Sequence, residues 1–307
     1  MNLRHVIDAQ QFTLPMLVDL FDLAGDMERI VARGGTQDYN NRIMASLFYE
    51  PSTRTRFSFE SAMLRLGGKV ISTERAYEFS SVVMGETLED TIRVVGNYSD
   101  VIVLRHSEIG GAARAAAVST VPVINAGDGK GGQHPTQALL DLYTIYREKE
   151  SIDGIKVAMV GSLAEGRTVR SLAYLLGKFE RVKIYFVAPP PLQMKQDILD
   201  YLSHHNVWYT LETDLIKVLP EVDVVYITRI EQERVPRQDS SIEETAPSYF
   251  IDDKLMRLLP STALVMHPLP RLTEIACSVD NDKRAAYFRQ TRNGVLVRMA
   301  LLVSVLG

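Results

Sequence analysis

The sequence predicts an α/β protein of two parallel-sheet βαβ domains, with a functional site in the crevice between them. Three observations carry that prediction. Short apolar runs of strand length alternate with segments of helical periodicity. The alternation stops at a long helical stretch and then restarts. The chain has 307 residues, more than one core usually holds, so two units of about 150 residues are the default.

The elements follow in order. "IMASLF" (43–48) reads as a buried strand and "PSTRTRF" (51–57) as the loop after it. Phe59, Met63 and Leu66 then recur at helical spacing, and Gly67 with Gly68 supplies the stop. In "SSVVMGETLED" (80–90), Thr87 and Asp90 have capping-box spacing, so a helix starts there and the residues before it form a loop. "DVIVLRH" (100–106) and "VPVINAG" (121–127) are two further strands, and 136–148 is the long helical stretch. The rhythm resumes with strands over 155–162, 182–189, 222–229 and 262–268. A helix over 192–203 lies among them, "APPP" (188–191) and 236–248 are loops, and an apolar helix closes the chain.

Composition narrows the function. A formal net charge of -4 and a pI near 5.9 argue against nucleic acid or an anionic membrane surface as partner. A site for anionic substrates must therefore concentrate arginine locally. One cysteine, Cys277, excludes an internal disulfide and gives no metal-binding spacing. No apolar run approaches ~20 residues, and the first residues lack a signal-peptide core. A cytoplasmic location is the expectation.

The richest motif is "PSTRTRF". Ser52 stands where an N-cap belongs, between a strand and a helix. Helix-terminal N–H groups, two hydroxyls and Arg54 would converge there, which suits a phosphate without the glycines of a P-loop. The other reading of this stretch is a capped helix with surface arginines. "QHPTQ" (133–137) and "HPLPR" (267–271) each carry His-Pro, and Arg105 with His106 ends another strand. "GSLAEG" lacks the G-x-G-x-x-G pattern, which removes the main support for a dinucleotide site. Arg167 and Arg229 both follow strands of the second sheet, and a paired arginine clamp suits a dicarboxylate.

Together "FYEPSTRTRFSFE", "GETLEDT", "QHPTQALLDLYTI", "GRTVRSLAYLL" and "MHPLPRLTEI" resemble the catalytic chain of the aspartate carbamoyltransferases, in one order along the whole chain. The resemblance implies a carbamoyl-phosphate domain over 1–135 plus a C-terminal helix over 288–307, and an acceptor domain over 136–287. It implies a homotrimer whose active sites are shared between neighbouring chains, with a possible regulatory or dihydroorotase-type partner. Ser52, Thr53, Arg54 and Arg105 would hold the phosphate, with Ser80 reaching in from the neighbouring chain. Thr55, Arg105 and His134 would polarise the carbamoyl carbonyl, and Gln137 would bind the carbamoyl amide. Arg167 and Arg229 would grip the acceptor's carboxylates, with Glu231 near them and the backbone of Pro268 and Leu269 receiving its amine. Carbamoyl phosphate brings its own leaving group, so orientation and charge stabilisation would be enough for catalysis, and the resemblance implies no metal and no cofactor.

The chain departs from the family at several positions. Met84 stands where a lysine normally enters the neighbour's site, Glu231 replaces a glutamine, and Ser162 replaces an aspartate. The loop "DGKGGQHP" is one residue longer and brings in Lys130. One lost charge-assisted contact costs roughly 1.5–3 kcal/mol. Three readings follow: transfer to L-aspartate with Lys130 as replacement cation, transfer to a different acceptor amine, or a catalytically impaired scaffold or regulator.

Overall fold

The computed structural model describes residues 1–74, 76, 85–230 and 249–307. Ser80, Met84, Glu231 and the 236–248 loop lie outside them. The chain divides into two compact units, Met1–Tyr143 with Arg292–Gly307, and Thr144–Thr291.

The first unit begins with α1 (Leu14–Ala32), capped by Thr13, whose hydroxyl accepts from the Met16 N–H. It continues through β1 (Ile43–Phe48), α2 (Thr53–Arg65), β2 (Lys69–Glu74), α3 (Leu88–Gly96), β3 (Val101–Arg105), α4 (Gly111–Val118) and β4 (Val123–Asn125). Its four strands are all parallel, in the order β2-β1-β3-β4. The central strands β1 and β3 are buried almost throughout, which is why they read as unbroken apolar runs. Ala45, Leu47, Ile102, Leu104 and Val123 form one core cluster with Ile92 and Ala115 of the covering helices. Fully burying a side chain such as Leu or Ile stabilises by roughly 1.5–3 kcal/mol, so this cluster fixes the sheet on its helices.

Helix α2 buries Thr55, Phe59, Ala62 and Met63 on one face. It ends at Gly67, whose φ of +87° and close approach to Thr36 O leave no room for a Cβ. Thr87 caps α3 as its spacing predicted, its hydroxyl accepting from the Asp90 N–H at 3.2 Å. Helix α5 (Pro135–Lys149) leads from the first unit into the second, and α10 (Tyr287–Leu306) leads back.

The second unit contains β5 (Lys156–Val160), α6 (Arg167–Leu176), β6 (Lys183–Val187), α7 (Gln196–His204), β7 (Trp208–Glu212), α8 (Leu215–Val218), β8 (Val224–Ile227), α9 (Asp253–Met256) and β9 (Leu264–Met266). Its strands are parallel in the order β7-β6-β5-β8-β9. Two parallel α/β sheets are therefore present, as the alternating pattern predicts.

The structure corrects one element. Residues 192–203 do not form one helix: Pro190–Leu192 make a single tight 3-10 turn, Gln193 is extended, and α7 starts only at Gln196. The reason is local. Prolines at 190 and 191 favour the tight turn, and the Gln193 amide donates to Phe186 O (3.1 Å) and Glu212 O (3.3 Å), tying that residue to the sheet edge. Two strands, β2 and β7, have no counterpart in the sequence reading. Both are edge strands with mostly half-buried or exposed residues.

Candidate active site

In an open parallel sheet, ligands bind beyond the carboxyl ends of the strands, where the strand order reverses. In the first sheet that reversal lies between β1 and β3. The register pairs Phe48, the last residue of β1, with Arg105, the last residue of β3. The Tyr49 N–H then donates to Arg105 O at 2.9 Å, so "PSTRT" leaves the sheet directly beside Arg105. Ser52 stands at the N-cap of α2, as the motif predicted, with Thr53, Arg54 and Thr55 in the first turn.

Ser52 holds the N-cap position, but its side chain makes no capping hydrogen bond. Thr55 is buried and Arg54 is exposed. Arg56, the other arginine of the motif, is turned to a structural use, pairing with Glu74 at 3.3 Å and Glu60 at 3.9 Å.

Gly127 brings in a second segment. A Cβ on it would lie 2.7 Å from Arg105 Nη1 and 3.5 Å from His134 Cδ2, so the arginine and the histidine close around this glycine. Its φ of +125° is open to glycine and strained for other residues. Arg105 is further held by Ala126 O at 3.3 Å and by Glu50 at 3.3 Å. His134 is buried just before α5, and its carbonyl accepts from the Gln137 and Ala138 N–H groups. Gln137 follows in the first turn, its Nε2 donating to Asp141 Oδ1 at 2.8 Å. Lys130 is exposed in the loop that the Asp128 N–H closes onto Gln133 O at 2.9 Å.

His106 meets this group through its backbone, its N–H donating to Gly127 O at 3.1 Å. Its ring is buried edge-on against Tyr49, its Nδ1 accepts from the Glu108 N–H at 3.2 Å, and burial holds its pKa below the usual histidine range. Glu50, Gly127 and Asp141 were absent from the sequence reading. Glu50 alone had a signal there, as the acidic residue immediately before "PST".

In the second sheet the order reverses between β5 and β8. Arg167 opens the helix after β5, and Arg229 lies two residues beyond β8. The Ser162 N–H donates to Arg229 O at 3.2 Å, joining the two loops at the switch point. Both arginines are half-buried. Pro268 and Leu269 follow β9, the neighbour of β8; both are half-buried, and Leu269 has a φ of +53°. Arg105 with 52–55, and Arg167 with Arg229, thus lie at the switch points of their own units, while Ser80, Met84 and Glu231 lie outside the described residues. Among the described residues no cluster of three or more His, Cys, Asp or Glu could hold a metal ion, and no helix is long and apolar enough to cross a membrane.

Known proteins are similar to this chain along its whole length. Residues 4–147 match the family model "Aspartate/ornithine carbamoyltransferase, carbamoyl-P binding domain", and residues 153–305 match its "Asp/Orn binding domain". Aspartate carbamoyltransferase 1, chloroplastic, of Pisum sativum is 56% identical over 308 residues, covering 100% of this chain and 80% of its own. The aspartate carbamoyltransferase catalytic subunit of Thermoplasma acidophilum is 47% identical over 305 residues, covering 99% of this chain and 98% of its own. The crystal structure of Trypanosoma cruzi aspartate transcarbamoylase in complex with N-(phosphonacetyl)-L-aspartic acid superposes with a TM-score of 0.94 at 42% identity, covering 100% of this chain and 97% of that one. With both halves matched, two parallel sheets, and phosphate-type and arginine-type groups at their switch points, the chain belongs to the aspartate/ornithine carbamoyltransferase family.

Proposed function

We propose that this chain transfers the carbamoyl group of carbamoyl phosphate to the amine of L-aspartate, giving N-carbamoyl-L-aspartate and inorganic phosphate. The observation that carries the reading is the full-length identity of 47–56% to aspartate carbamoyltransferases. A solved relative described as holding carbamoyl phosphate and aspartate supports both substrates.

On this reading the first unit receives carbamoyl phosphate. Ser52, Thr53, Arg54 and the first turn of α2 take the phosphate oxygens, together with Arg105. Thr55, Arg105 and His134 act on the carbonyl oxygen, where negative charge grows as the amine attacks the carbonyl carbon. Gln137 takes the carbamoyl NH2. In the second unit Arg167 and Arg229 bind the two carboxylates of aspartate, and the backbone at Pro268 and Leu269 receives the amine. The amine lone pair forms the new C–N bond, the C–O bond to phosphate breaks, and phosphate leaves with that electron pair and accepts the surplus amine proton.

The proposal extends to a homotrimer in which Ser80 and Met84 complete a neighbour's site, and to a cytoplasmic location. The family resemblance supports the first; the second is the expectation from the first residues, which lack a signal-peptide core, and the pea relative is named chloroplastic. Met84 and Glu231 favour one competing reading, an acceptor with less negative charge or with a second amine. Product formation from carbamoyl phosphate should be measured with aspartate beside ornithine, diaminopropionate and small neutral amino acids. Aspartate as best acceptor is the expected result. Preference for another amine would replace the acceptor, and no turnover with any of them would make the chain a scaffold or regulator.

A further inference from the structure

His267 ends the β9 segment with 2% of its surface exposed, and both of its ring nitrogens are used. The Leu269 N–H donates to Nδ1 at 2.7 Å, and Nε2 meets Glu274 Oε1 at 2.8 Å. A nitrogen that accepts from a backbone N–H carries no proton, so the ring proton sits on Nε2 and is donated to Glu274. The other oxygen of Glu274 accepts from the N–H groups of Leu272 (2.9 Å) and Thr273 (3.0 Å). From behind, the His267 N–H donates to Gln290 Oε1 at 3.1 Å. The imidazole is therefore fixed in tautomer and in orientation.

What it grips is unusual. Leu269 has a φ of +53°, the left-handed region, where a side-chain Cβ crowds the following carbonyl oxygen and which leucine rarely adopts. A non-glycine residue remains there only when its surroundings over-determine it, and such residues gather at ligand sites. The Nδ1 hydrogen bond supplies that constraint from two residues upstream.

We propose that His267 is a positioning residue for the acceptor half of the reaction: its unprotonated Nδ1, oriented by Glu274, holds Leu269 in the left-handed conformation and so fixes the backbone of Pro268 and Leu269 that receives the acceptor amine. This rests on the transferase reading above. His267 touches neither substrate; it acts through the backbone it holds.

Two isosteric changes separate its two hydrogen bonds. The oxygen of an Asn side chain reaches about where Nδ1 lies, and the amide nitrogen of a Gln side chain about where Nε2 lies. His267→Asn therefore keeps an acceptor for the Leu269 N–H, while His267→Gln keeps the donor to Glu274 and loses the grip on Leu269. The test is steady-state kinetics of the full chain with carbamoyl phosphate and aspartate, beside equilibrium binding of carbamoyl phosphate and a melting curve. His267→Gln and His267→Ala should lower kcat/KM for aspartate about tenfold or more, with carbamoyl phosphate affinity within about twofold of the parent. His267→Asn should rescue the loss to within about threefold of the parent, even if it melts earlier. Glu274→Gln loosens the ring from its far side and leaves His267 and Leu269 intact. It should lower the same ratio about three- to tenfold, and it gives the answer if the Gln variant does not fold.

Asn as slow as Gln would overturn the proposal, as would a folded Glu274→Gln with parental kinetics. Failure of the parent chain to carbamoylate aspartate would instead overturn the transferase reading, and it would appear before any variant was made.

Discussion

Gln137 Nε2 donates to Asp141 Oδ1 at 2.8 Å inside α5. With its NH2 held by the carboxylate, the Gln137 amide would, on the proposed reading, offer its carbonyl oxygen to the substrate. That oxygen suits the NH2 of a carbamoyl group and has nothing to accept from a methyl. Gln137→Leu should weaken carbamoyl phosphate by about 1–3 kcal/mol, the cost of leaving its NH2 unpaired, and leave acetyl phosphate nearly unchanged. Competition binding of the two phosphates in parent and variant checks this. Equal losses for both would show that Gln137 does not read the NH2.

Behind that pair lies Arg298 of α10, 4% exposed and stacked over Phe59 at 5.1 Å. Burial pulls its guanidinium down to about 10, while attraction to Asp141 acts in the other direction. Taking a nearby attracting charge away leaves a buried cation less compensated. Asp141→Ala should destabilise the fold, and Asp141→Leu with Arg298→Met should do so by less. Urea unfolding of the single and double variants measures the difference.

Gly127 has a φ of +125°, with Arg105 Nη1 2.7 Å from where a Cβ would sit. Gly127→Ala combines backbone strain of about 1–3 kcal/mol with displacement of the arginine. Carbamoyl phosphate KM should rise and aspartate KM should change little. Initial-rate kinetics with each substrate varied distinguishes this from a general loss of fold.

Much of this was legible in the sequence. Buried central strands such as β1, β3 and β5 announce themselves, because burial on both faces demands an unbroken apolar run. Edge strands face partial solvent, so "KVISTE" and "WYTLE" carry no such run and escape notice. The N-cap position of Ser52 was legible because a serine between a strand and a helix is a local signal. The pairings of Gln137 with Asp141 and of Arg105 with Gly127 were not. The first looks like any pair one turn apart on a helix, and the second depends on the β3–β4 register.

The Glu274 carboxyl lies at about 2 against an ordinary 4.5. Burial alone would raise it, but the hydrogen bond from His267 and those from the backbone outweigh burial. A carboxyl depressed by folding adds stability that is complete above 4.5 and is lost as the pH falls toward 2. The melting temperature of the parent should drop through that interval. Glu274→Gln should melt lower near neutral pH and show a shallower drop, which thermal scans across the acid range would reveal.

Met84 occupies the position where the resemblance expects a lysine. Met84→Lys should raise kcat/KM for aspartate about ten- to a hundredfold, the worth of one charge-assisted contact. An unchanged rate in a steady-state assay would mean that Met84 does not limit the use of aspartate.

Ser52 stands at the N-cap of α2, but its hydroxyl does not serve the helix. A phosphate bound there would satisfy the first-turn N–H groups that a capping side chain elsewhere satisfies, and so would finish the helix as well as occupy the site. Substrate and fold would then share one set of donors. Resistance to unfolding would rise with the logarithm of the phosphate ligand's concentration once that exceeds its Kd. A cell rich in carbamoyl phosphate would hold a longer-lived protein than a starved one, with no regulator involved.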